Sequence, residues 1–182
     1  YALGAVGKLK GEILVIDGEP YIASVKSNKL DIRNDFNAGT ALLVYAYVKK
    51  WREVEIPGEV KEQSDIEDFI RKAATDNGID EENAFPFMIE GKVDYVKWHV
   101  IDWAEGDMVH THEKHRTSGL QGEIQQERAT ILGFYSENHQ GIFTHHTSNM
   151  HIHVLSKDEK IAGHVDEIRL NGKAYLKLPI SE

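Results

Sequence analysis

Through most of this 182-residue chain, apolar residues alternate with polar ones or gather in short blocks, and one stretch keeps a clear helical period. Gly11-Glu-Ile-Leu-Val-Ile16 reads as an extended strand, Asp17-Gly-Glu-Pro20 as a turn and Tyr21-Ile-Ala-Ser24 as the returning partner, so the chain opens on a hairpin. Residues 27–37 are polar and read as a loop. Residues 41–48 (Ala-Leu-Leu-Val-Tyr-Ala-Tyr-Val) form a β-branched and aromatic run that predicts a buried strand, and residues 51–56 alternate before Pro57. The helical stretch starts at Ser64, which with Glu67 has the spacing of a capping box; Ile66, Phe69, Ile70 and Ala73 mark its apolar stripe and Gly78 its stop. Residues 93–103 predict a long aromatic-rich strand, and further strands are expected at 129–136, 149–156, 164–170 and 174–178. Many strands with one helix predict an α+β domain of mixed or antiparallel sheet. It is read as a single domain over residues 1–182, with two lobes parting near residue 90 as the alternative.

Composition narrows the function classes. The apolar (41%) and charged (28%) fractions are those of an ordinary globular protein, and no apolar run approaches the length of a membrane span. A formal charge of −9, from 21 Lys+Arg against 30 Asp+Glu, argues against nucleic acid as the partner, because phosphate binding needs clustered basic residues. With no cysteine, disulfides and thiolate metal sites are both excluded. A first residue of Tyr1 rather than Met is compatible with a cytoplasmic protein or with one exported after signal-peptide removal.

Ten histidines are unevenly placed: His99, then three in His110-Thr-His-Glu-Lys-His115, then six between His139 and His164. His151 and His153 stand two apart in an expected strand, so both side chains leave one face, while Met150, Ile152 and Val154 leave the other. His164 follows a polar Ser-Lys-Asp-Glu-Lys turn. Three imidazoles with an open coordination position make the layout of a catalytic zinc, although nickel, copper or iron(II) would suit the same donors. Partly exposed strand histidines are the plain alternative. His110, His112 and His115 surround Arg116 in a segment without apolar periodicity. It reads either as a solvated loop or as a lid that carries Arg116 toward an anionic substrate. Nothing in the local sequence marks Glu12, which by itself reads as an exposed strand-end carboxylate.

Taken in order, Gly11-Glu-Ile-Leu-Val-Ile-Asp-Gly-Glu-Pro-Tyr21, Ala129-Thr-Ile-Leu-Gly-Phe-Tyr135, Met150-His-Ile-His-Val154 and Gly163-His-Val165 resemble the motifs of the α-acetolactate decarboxylase family. The separation of the second and third histidines is also similar to the family's, and the likeness spans nearly the whole chain. It implies that His151, His153 and His164 are zinc ligands and that Glu12 is the active-site glutamate. It also implies that Arg116 holds the substrate carboxylate, and that the protein is a homodimer acting on a small oxo or hydroxy acid. The chain departs from the family where Arg116 stands in His-Arg-Thr-Ser-Gly-Leu rather than Arg-x-x-Pro-x-Gln, where the following loop is shorter, and where Asn149-Met150 replaces a glycine-aromatic pair. The family's second glutamate, from a C-terminal extension, has no counterpart in residues 1–182. The expected activity is zinc-dependent decarboxylation of 2-acetolactate to acetoin. The alternatives are another metal-dependent lyase or hydrolase reaction on a different oxo acid, and a non-catalytic ligand-binding or assembly module whose metal is closed by Glu12, His145 or His146.

Overall fold

The computed structural model describes residues 1–109, 111–144 and 148–180, with His112 described in its backbone alone. The first sheet is built from β1 (Ala2–Val6), β2 (Glu12–Ile16), β3 (Glu19–Lys26), β4 (Lys29–Arg33) and β5 (Thr40–Tyr45), in the antiparallel order β4-β3-β2-β1-β5. The expected opening hairpin is present. Its two-residue turn, Asp17 and Gly18, has both φ values positive (51° and 85°), which matches the twist of the flanking strands. Ser27 and Asn28 repeat the device (φ 51° and 59°) and turn β3 into β4, so part of the expected 27–37 loop is a strand. Its short Leu30/Ile32 alternation is too brief to stand out from a polar segment.

Residues 41–48 are corrected as well. The strand there is β5, and it lies at the sheet edge with Leu43 43% and Tyr45 76% exposed. An apolar run reports a preference for burial; it does not report how many neighbours the strand acquires. The chain reaches this edge by crossing from β4 on the opposite side, and Ala38 in that crossover packs on Ala2, Ile13, Val15 and Ile22 of the outer sheet face.

The second sheet contains β6 (Trp51–Glu55), β7 (Phe85–Val100), β8 (Leu120–Gln125), β9 (Arg128–Tyr135), β10 (Met150–Ser156) and β11 (Ala162–Pro179). Its order is β6-β11-β10-β9-β7-β8, and β11 also pairs with β7, so β7, β9, β10 and β11 close on one another. Two expected strands at 164–170 and 174–178 are one 18-residue strand whose register slips between Leu170 and Ala174. β7 begins at Phe85 rather than near residue 93. The sheets part between Tyr45 and Trp51, and residue 90 lies inside β7.

Helix α1 (Gln63–Asp76) buries Ile66, Ile70, Ala73 and Ala74 and stops before Gly78 (φ 77°). Its capping box is formed by Glu62 and Asp65 rather than by Ser64 and Glu67. Glu67 is engaged elsewhere, accepting from Ser148 Oγ (2.7 Å) and Asn149 N (2.9 Å) just ahead of β10. Leu3 and Leu14 of the first sheet, Phe87, Ile131, Val154 and Leu176 of the second, and Ile66 and Ile70 of α1 belong to one continuous core.

Candidate metal centre

Cross-strand register assembles the histidines. His153 on β10 lies opposite His164 on β11, His164 lies opposite His99 on β7, and His99 lies opposite Gln121 on β8. Strand alternation adds His151 to the face of His153. One ligand nitrogen from each of His151, His153 and His164 falls within 4.8 Å of the others, and all three side chains are buried. The Nε2 atoms of His151 and His153 are 3.2 Å apart. Two nitrogens about 2.05 Å from a tetrahedral zinc would stand about 3.3 Å apart, so the residues fit such an ion. Gly163 makes the close packing possible, since a Cβ there would come within 2.7 Å of the His99 carbonyl oxygen.

The first sheet faces this cluster with Glu12, which is buried. Its Oε1 accepts from Ile101 N (3.2 Å) at the end of β7, and its Oε2 lies 3.7 Å from His153 Nε2. Burial pushes the Glu12 carboxyl up to about 8; the Ile101 N–H opposes that shift and the Asp166 charge adds to it. Glu12 stands beside the ligand group rather than within it.

A cavity of about 350 Å³ opens over the cluster and is lined by Glu12, His99, His115, Arg116, His151 and His164. Its other walls are mostly apolar, with Leu9, Leu42, Ile142 and Phe143 among them and Thr144 beside these. Arg116 arrives on α2 (His112–Thr117), a short helix where the sequence reads as a loop; Thr111 caps it by accepting from Lys114 N. The helix is held by Lys114 Nζ on Asp107 (2.7 Å), by the His115 ring edge-on to Trp103 (4.7 Å), and by Gln121 Nε2 on the Arg116 carbonyl (2.9 Å). β8 follows at once, so the loop expected after Arg116 is mostly strand. Arg116 Nε is buried, and no hydrogen-bond acceptor meets it among the described residues.

The structure therefore brings together every expected site residue: Glu12, Arg116, His151, His153 and His164. It adds two that the sequence did not mark. His99 is buried beside His164, with ring centres 4.9 Å apart, and its Nδ1 lies 3.0 Å from Asp166 Oδ1. The one available signal was the position of Asp166 two residues beyond His164 on the same strand. His110, His145 and His146 lie outside the described residues, as does the side chain of His112.

The family described as alpha-acetolactate decarboxylase matches residues 1–180. No curated protein sequence matches. Among solved structures, the chain is similar to an alpha-acetolactate decarboxylase from Bacillus subtilis strain 168, with 17% identity and a TM-score of 0.76, covering 100% of this chain and 73% of that one. It is equally similar to an acetolactate decarboxylase from Bacillus subtilis subspecies spizizenii, with 17% identity and a TM-score of 0.76 over 100% and 74% of the two chains. A Staphylococcus aureus protein of unknown function, similar to alpha-acetolactate decarboxylase, matches at 14% identity and a TM-score of 0.73 over 99% and 73%. At these identities the structural likeness shows the shared fold.

Proposed function

The chain belongs to the alpha-acetolactate decarboxylase family, and from that membership we propose that it removes CO₂ from a branched 2-hydroxy-3-oxo acid, converting 2-acetolactate to acetoin with zinc held by His151, His153 and His164. The observation that carries this reading is the convergence of two of those histidines, Glu12 and Arg116 on one cavity, with His153 directly behind it.

Arg116 binds the substrate carboxylate through its guanidinium, whose planar donors match a carboxylate in pairs. CO₂ departs uncharged, so the same arginine that orients the acid loses its hold once the bond has broken. When bound, a divalent ion supplies Lewis-acid stabilisation for the electron pair that CO₂ leaves behind. Glu12 is held through Oε1 by the Ile101 N–H, which leaves Oε2 on the side of the histidines. From there it delivers or relays the proton that completes the product. Leu9, Leu42 and Phe143 limit water around the reacting carbon, which strengthens each electrostatic contact.

The purified protein should hold stoichiometric zinc and release acetoin from racemic 2-acetolactate. His151→Ala should lose both the metal and turnover. Full activity in metal-free protein would sink the proposal.

A further inference from the structure

We propose that His99 is a substrate-contacting residue that selects for a hydroxyl group, its Nε2 accepting a hydrogen bond from the carbinol hydroxyl of the 2-hydroxy-3-oxo acid while Asp166 holds it in the accepting form. The proposal rests on the decarboxylase reading for its ligand class, and its chemistry comes from the pair itself.

His99 lines the cavity, and its Nδ1 is engaged with Asp166 Oδ1 at 3.0 Å. In this contact Nδ1 is the donor and the carboxylate oxygen the acceptor, an arrangement that turns the other ring nitrogen, Nε2, to the ligand as a lone-pair acceptor. A ring set in this way takes a hydrogen bond from a hydroxyl and offers none to an ether or a carbonyl.

The backbone is shaped to make this pair. His164 lies opposite His99 and Val165 opposite Trp98, but the next pairing is Glu167 with Lys97, so Asp166 is the extra residue of a β-bulge. Bulges re-aim a side chain at the expense of ladder regularity. Here the re-aimed carboxylate reaches His99 and is buried with it, their side chains 4% and 8% exposed. Its second oxygen, Oδ2, meets no hydrogen-bond partner among the described residues. A buried polar pair left half-satisfied does little for stability, which apolar residues of similar size would serve as well or better. A ligand that completes its hydrogen bonding gives the pair a use that packing does not. A site built to bond a substrate hydroxyl discriminates strongly against the analogue lacking one, because its own buried polar atom is then left unpaired.

The test uses metal-loaded protein and two ligands that do not decarboxylate, 2,3-dihydroxy-2-methylbutanoate and 3-hydroxy-2-methylbutanoate, titrated by calorimetry, with metal content measured in every variant. Wild type should prefer the first ligand. That preference should fall about tenfold in His99→Phe, the worth of one buried hydrogen bond. It should fall similarly in Asp166→Asn, whose amide can donate to Nδ1 and so move the ring proton to Nε2. His99→Gln, which places an amide oxygen near the site of Nε2, should restore most of it. Metal content should stay level throughout.

An unchanged preference in the Phe and Asn variants would overturn the proposal. So would binding of neither ligand, or metal loss in the Gln and Asn variants that tracks the loss of preference, because His99 would then act through His164. Turnover of 2-acetolactate is scored separately. Turnover without hydroxyl preference fails this inference and leaves the decarboxylase reading standing; hydroxyl preference without turnover does the reverse.

Discussion

At the scale of single residues, Arg116 carries the proposed carboxylate contact. Its Nε is buried in the wall of the cavity without an acceptor among the described residues, and an unmet buried donor costs about 1–3 kcal/mol. A substrate carboxylate would relieve that cost. Arg116→Gln should therefore raise KM at least about tenfold, by loss of a charge-assisted pair, and leave the metal content unchanged. Steady-state kinetics with metal analysis checks this; an unchanged KM would remove Arg116 from substrate binding. The site's residues were legible to different degrees. His151 and His153 announce themselves through strand alternation. Glu12 reads as an ordinary strand-end acid, because its burial depends on a second sheet that begins almost forty residues later in the chain. The pair of His99 and Asp166 was barely legible: Asp166 stands two residues beyond His164, but its contact with His99 depends on a bulge in β11, and a one-residue shift in register leaves no trace in composition or period.

At the scale of elements, strands could be read and their neighbours could not. Periodicity located β2, β3, β6, β9 and β10 to within a residue or two, yet it misjudged the burial of β5 and split β11, whose polar Asn171-Gly-Lys173 step is a register shift inside a continuous strand. The α1 cap was misplaced for a similar reason: the carboxylate with capping-box spacing, Glu67, secures the entry to β10 across more than eighty residues. The β10–β11 hairpin has its own local clasp. Asp158 Oδ1 accepts from Ser156 Oγ (2.8 Å), Ser156 Oγ accepts from Ile161 N (3.0 Å), and Lys160 Nζ sits 3.0 Å from Asp158 Oδ2. Lys160, with Ser156 contributing less, holds the Asp158 carboxyl at about 2, below its ordinary 3.8. A lowered acid pKa stabilises the fold above the unfolded-state value, and that stabilisation is lost as pH falls through the folded-state value. The gap in urea midpoint between wild type and Asp158→Asn should therefore be constant above about pH 5 and close between about pH 4 and 2. A gap that persists at the acid end would show that the clasp works without its charge.

At the scale of the whole molecule, the candidate site lies where two sheets from opposite ends of the chain meet. Residues 2–45 supply Glu12 and Leu42, and residues 51–179 supply the histidines and Arg116. An ion held by the folded site and not by the unfolded chain stabilises the protein by mass action, worth about 2.7 kcal/mol at a hundredfold excess over Kd. For a chain of this length, stripping the ion with a chelator should lower Tm by roughly 5–10 °C, and restoring zinc should recover it. Scanning calorimetry with and without chelator measures this; an indifferent Tm would mean that the three histidines hold no ion under those conditions.

The placement of His151, His153 and His164 on one hairpin, with Glu12 and Arg116 arriving from elsewhere, has a consequence for the order of assembly. Closing the β10–β11 hairpin costs little chain entropy, whereas seating the first sheet on it joins residues well over a hundred positions apart, such as Glu12 and His153. The three histidines can therefore come together before the carboxylate and the guanidinium come into place, and an ion bound there would reach them early. Metal added at the start of refolding should then speed the long-range half of folding more than metal added afterwards, which stopped-flow refolding with and without zinc would measure.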